Sequence, residues 1–173
     1  MHRFPEAIWV PSPHFDARPT DEISLLVVHA IALPPMGESP LPVLAFFQGD
    51  LVPEADPYFA KIADMRVSAH CVIDRLGQVY QCVAFNQRAW HAGVSTYQGR
   101  EACNDFSVGV ELIGPEEGPF TEAQLQALAG IARYLMTEYG LTSEAIVGHR
   151  DIAPGRKVDP GVSFPYDALR ALI

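Results

Sequence analysis

Residues 23–29 read Ile-Ser-Leu-Leu-Val-Val-His (ISLLVVH). The run is almost wholly apolar, rich in branched side chains, and shows no polar alternation. Such a segment forms a strand buried on both faces, as at the middle of a sheet covered by helices. Its last residue is His29, so the strand is expected to deliver an imidazole at its C-terminal end. Residues 107–113 (SVGVELI) alternate well enough for a second, half-buried strand, and Glu111 lies within it.

Working outward, residues 69–74 and 78–83 are joined through RLG and read as a hairpin-like strand pair around a glycine turn. The clearest helix begins after Thr121. Thr121 and Gln124 have the spacing of a capping box, and Leu125, Leu128, Ala132, Leu135 and Tyr139 recur at helical intervals. Gly140 supplies the C-terminal stop. A short strand is expected at 145–147, just before Gly148-His149, and a last helix at 166–172. A Pro-rich loop follows His29, and residues 41–62 read as short helices with irregular structure. The long segment 34–65 has the character of a lid. Together these elements predict one α/β domain over residues 1–173, a mixed central sheet flanked by helices.

A chain of 173 residues, 49% of them apolar, can bury a continuous core. Its net charge of −9 and lack of a dense basic run argue against nucleic acid as a partner. Prolines and charges punctuate the first 22 residues, which therefore lack a signal peptide's apolar run, and no stretch is long and apolar enough to span a bilayer. Cys71, Cys82 and Cys103 match neither a zinc ribbon nor a redox pair, and are expected as reduced thiols in a cytoplasmic protein. A monomer without membrane insertion is expected.

Three features can carry chemistry: His29, Glu111, and residues 148–161, GHRDIAPGRKVDPG, which hold His149, Lys157 and Asp159. Two imidazoles and a carboxylate suit a catalytic Zn²⁺ with its fourth position open. A neighbouring carboxylate can move protons, and a lysine can hold an oxyanion. Spacing leaves the matter open. His29 can equally be a core histidine, Asp159 the cap of a turn before Pro160, and Lys157 a solvated loop cation. Two histidines and one carboxylate would also permit non-haem iron.

The segments RVSAHCVIDRLGQVYQCV (66–83), RAWHAGVSTYQGRE (88–101), CNDFSVGVELIG (103–114) and GHRDIAPGRKVDPG resemble, in the same order, the cytoplasmic 1,6-anhydro-N-acetylmuramyl-L-alanine amidases of the AmpD type. The likeness covers nearly all the chain beyond about Ile23. It implies the amidase fold shared with peptidoglycan recognition proteins. It also implies zinc ligands at His29, His149 and Asp159, a general base at Glu111, and a transition-state lysine at Lys157. The implied reaction is hydrolysis of the bond between N-acetylmuramic acid and L-alanine in muropeptides. Trp90 and His91 resemble the family's pocket wall, and Arg66 is a candidate for gripping the substrate. Asp151 is expected to orient His149 from behind.

The chain departs from the pattern after its first implied ligand, reading HAIALPP where the family has HNISLPP, and in GREAC where the family has GRERC. Ala30, Ala32 and Ala102 therefore lack side-chain hydrogen-bonding groups. This leaves two further readings: an amidase of broader specificity, and a non-catalytic peptidoglycan-binding module.

Overall fold

The computed structural model describes residues 2–173. In chain order the strands and helices are β1 (Ile8–Trp9), β2 (Phe15–Ala17), β3 (Leu25–Ile31), α1 (Leu41–Gln48), α2 (Phe59–Ile62), β4 (Cys71–Ile73), β5 (Val79–Gln81) and β6 (Gln87–Ala89). They continue as β7 (Thr96–Tyr97), β8 (Arg100–Glu101), β9 (Ser107–Ile113), α3 (Glu122–Tyr139), β10 (Ile146–Gly148), α4 (His149–Ile152) and α5 (Tyr166–Ala171). The main sheet has the order β1-β5-β4-β9-β3-β10. Two-stranded ribbons pair β2 with β6 and β7 with β8.

The apolar run is the sheet's interior strand β3, flanked by β9 and β10 in parallel. It begins and ends two residues later than its apolar pattern indicates. His29 consequently lies inside the strand rather than at its end, because the β9 ladder continues through Ile31 opposite Ile113. Strand β9 is buried along its whole length, not half-buried, because β4 covers its other edge and side chains pack on both faces. Strands β4 and β5 form the expected antiparallel hairpin, with β4 running parallel to β9. At the hairpin turn Gly77 adopts φ +85°, and a Cβ there would meet the Ala123 carbonyl at 2.7 Å.

Helix α3 is built as its sequence indicates. Gln124 N–H donates to Thr121 Oγ1 at 3.1 Å, and Thr121 N–H donates to Gln124 Oε1 at 3.0 Å. Gly140 closes the helix in the left-handed conformation. Its Leu125, Leu128, Ile131 and Leu135 pack on Leu26, Val28, Val110 and Leu112. A second apolar cluster joins Val43, Phe46 and Phe47 of α1 to Val72 and Ile113. The sheet is thus covered on both sides, as a central parallel strand requires. All three cysteines are free and buried. No described helix is long and apolar enough to cross a membrane.

Candidate active site

Parallel pairing sets His29 of β3 directly beside Glu111 of β9. Strand β10 pairs with the other edge of β3, ending with Gly148 opposite Val28. His149 is the next residue and opens α4. The chain then loops through Lys157 and returns, so that Arg150 N–H donates to the Asp159 carbonyl at 2.9 Å. That link brings the Asp159 side chain back onto His149.

His29, His149 and Asp159 are 1%, 4% and 5% exposed, burial that excludes a solvated role for the carboxylate. His29 Nδ1 lies 3.0 Å from His149 Nδ1 and 3.4 Å from Asp159 Oδ2, and His149 Nδ1 lies 3.2 Å from Asp159 Oδ2. These three atoms form a triangle of potential metal-ligand donors. A tetrahedron with bonds of about 2.0–2.1 Å to its centre has edges of about 3.3–3.4 Å, so the triangle fits a zinc-sized ion. Burial lowers the His29 imidazole to about 4, opposed by Asp159, which keeps it neutral and able to ligate. Burial alone would raise Asp159, but the adjoining His149 and His29 rings override it and hold the carboxylate well below its usual range.

Glu111 borders this triangle, with Oε1 3.9 Å from His29 Nδ1. Its Oε2 is a buried oxygen without a hydrogen-bond partner among the described residues. Burial, then the Asp159 charge, push the Glu111 carboxyl well above the usual range, while Lys157 pulls it down. A carboxylate so disfavoured in its charged form is prepared to accept a proton. Lys157 is half-buried and lines the same cavity of about 690 Å³. Ala30, Ala32, Phe46, Met65, Trp90 and Glu116 contribute to its walls.

The N-acetylmuramoyl-L-alanine amidase family model matches residues 19–162. The chain belongs to this family. Its sequence is 55% identical over 170 residues to the 1,6-anhydro-N-acetylmuramyl-L-alanine amidase AmpD of Citrobacter freundii, covering 97% of this chain and 90% of that protein. A crystal structure of a selenomethionine AmpD derivative superposes with a TM-score of 0.96 at 52% identity, covering 99% of this chain and 97% of the other. The AmiD amidase of E. coli, solved with anhydro-N-acetylmuramic acid-L-Ala-D-γ-Glu-L-Lys, matches at 30% identity with a TM-score of 0.65. That match covers 87% of this chain and 57% of AmiD.

The amidase's cavity gathers His29, Glu111, His149, Lys157, Asp159, Trp90 and His91 from the residues singled out in sequence. Trp90 stacks its ring on His14 at 6.1 Å between centroids and lines the cavity. Arg66 lies apart from this lining, exposed, with its guanidinium donating to the Ala63 and Met65 carbonyls. Ala102 is likewise exposed and outside the lining.

Among the described residues no hydrogen bond or ion pair joins Asp151 to His149. Asp151 accepts from Gly148 N–H at 2.7 Å, capping α4, and from the Tyr166 hydroxyl at 3.3 Å. His149 is instead oriented by a backbone group, donating from Nε2 to the Ala92 carbonyl at 3.2 Å. Arg156 donates to the same carbonyl and to that of Val94. Asn104 Oδ1 accepts from the backbone N–H groups of His91 and Ala92 at 3.1 and 2.9 Å. Arg18 is another residue without a local sequence signal. Its guanidinium donates to the carbonyls of Phe85, Asn104, Asp105 and Ser107, fastening the chain that enters β9.

Proposed function

We propose that this amidase hydrolyses the amide between 1,6-anhydro-N-acetylmuramic acid and L-alanine in muropeptides, using zinc held by His29, His149 and Asp159. The observation that carries the reading is the in-register pairing of His29 with Glu111, which sets an unpartnered carboxylate oxygen beside three converging ligand atoms. When bound, zinc supplies Lewis acidity that activates water and polarises a carbonyl oxygen.

The chain's own residues do the rest. Glu111 takes the proton from the attacking water and returns it to the departing L-alanine amine. The Lys157 ammonium stands on the same cavity wall and pairs with the developing oxyanion. The apolar walls offered by Phe46, Met65 and Trp90 exclude water and pack on the sugar or peptide. AmpD-type relatives, named for anhydro-muropeptide cleavage, and the substrate bound to AmiD support this choice of substrate. We place the enzyme in the cytoplasm, recycling peptidoglycan fragments.

Incubation with anhydro-muramyl-tripeptide, with and without a zinc chelator, tests the reading by mass spectrometry. Chelator-sensitive release of a peptide beginning with L-alanine is the expected result. Absence of release by zinc-loaded protein would sink the catalytic reading and leave a peptidoglycan-binding module. Ala30 and Ala32 in the cavity wall favour one second reading, an amidase of broader range, because neither side chain can hydrogen-bond the sugar. Equal rates on anhydro and reducing-end muropeptides would establish that alternative.

A further inference from the structure

His91 lies behind His29, its Nδ1 2.9 Å from His29 Nε2 and its Nε2 3.1 Å from Ser107 Oγ. The two rings meet edge to face, with centroids 5.0 Å apart. The His91 ring lies so close to β9 that a Cβ on Gly109 would fall 2.4 Å from its Cγ. The close approach therefore depends on glycine at that position.

The two histidines of the ligand triangle differ in how their protons are placed. His149 faces a carbonyl, which can only accept. Its proton must sit on Nε2, and Nδ1 presents a lone pair. His29 faces another imidazole, which can donate or accept. If His91 donates from Nδ1, His29 carries its proton on Nδ1, turned into the triangle where a cation belongs. If His91 donates from Nε2 to Ser107, its bare Nδ1 accepts from His29 Nε2–H and the triangle receives a lone pair. Ser107 Oγ, able to accept, permits the second arrangement.

We infer that His91, seated on Gly109 and paired with Ser107, is a positioning residue that holds His29 in the tautomer presenting Nδ1 to a metal. The same two-residue segment then serves both imidazoles, His91 through its ring and Ala92 through its carbonyl, with Asn104 fixing its backbone. This inference rests on the zinc-centre reading above.

The test measures zinc affinity of purified apo-protein by competition with a chromophoric chelator, together with the visible spectrum of the cobalt(II) form. His91→Phe keeps a ring but removes both nitrogens. It is expected to weaken zinc binding about 10–100-fold and to alter the cobalt bands, as loss of an outer partner does. His91→Asn places an amide oxygen near the Nδ1 position and is expected to stay within roughly fivefold of wild type, because it can still accept from Nε2–H. Gly109→Ala displaces the ring without altering it and is expected to follow His91→Phe. It serves in place of that variant should circular dichroism show His91→Phe unfolded.

Zinc affinity and cobalt spectrum unchanged in His91→Phe or, where it replaces that variant, in Gly109→Ala would overturn the inference while leaving the zinc centre intact. So would His91→Asn binding as weakly as His91→Phe. Wild-type protein that takes up no zinc would overturn the zinc-centre reading itself, and this inference with it.

Discussion

Glu111 is 8% exposed, with one carboxylate oxygen unpartnered, beside a carboxylate that remains ionised. Burying a charge in that way opposes folding, as expected of a group retained for the general-base role proposed for it. Glu111→Gln keeps the shape and removes the charge. It is expected to lower turnover on anhydro-muropeptide about 10²–10⁴-fold, the usual range for a general base. The metal-free variant is expected to melt higher than wild type, by about 2–4 °C for each kcal/mol recovered. A lower melting temperature, measured by differential scanning calorimetry, would show that the carboxylate is stabilised by something the geometry does not reveal. Lys157→Met is expected to lower kcat about 10²–10³-fold, as loss of an oxyanion partner does. Its zinc content should stay at the wild-type level, which elemental analysis checks.

Helix α3 and the loop before β9 differ in how well their local chemistry suits them. In α3 the Thr121 hydroxyl both caps the helix and donates to the Arg75 carbonyl at 2.9 Å. Thr121→Ala is expected to reduce stability by about 1–2 kcal/mol, read from urea denaturation, with kcat unchanged. Ala102, by contrast, occupies φ +58°, where a Cβ is strained. Ala102→Gly is expected to add on the order of 0.5–1 kcal/mol, since glycine adopts that conformation freely. The difference also shows which elements can be read from sequence. The α3 boundaries are written in adjacent residues, Thr121, Gln124 and Gly140. Strands β1, β2 and β6 are two or three residues long and exist because partners far along the chain pair with them. In the site, the candidate residue types were legible, but Arg18 and the Ala92 carbonyl were not. The work of each depends on which backbone groups lie nearby after folding.

Across the whole molecule, buried imidazoles tie stability to acid. Burial lowers His70 to about 3 and His29 to about 4, and holds His91 well below its ordinary value. Between about pH 6.5 and 4.5 the unfolded chain binds protons on these three groups that the folded chain refuses. Glu111, with its raised value, retains a proton in the folded state that the unfolded chain has released. Three such groups outweigh one, so stability of the metal-free protein is expected to fall as pH drops through this window. Urea midpoints at pH 7 and pH 5 check the sign, and an unchanged or higher midpoint at pH 5 would refute it. The placement of His29 and His149 has a further meaning for how the protein is made. They stand 120 positions apart, and Asp159 comes later still. Residues 30–148 must therefore be synthesised before the two imidazoles can meet. A zinc finger folds around its metal, whereas the apolar clusters on the two faces of this sheet contain none of His29, His149 and Asp159 and owe their packing to no ion.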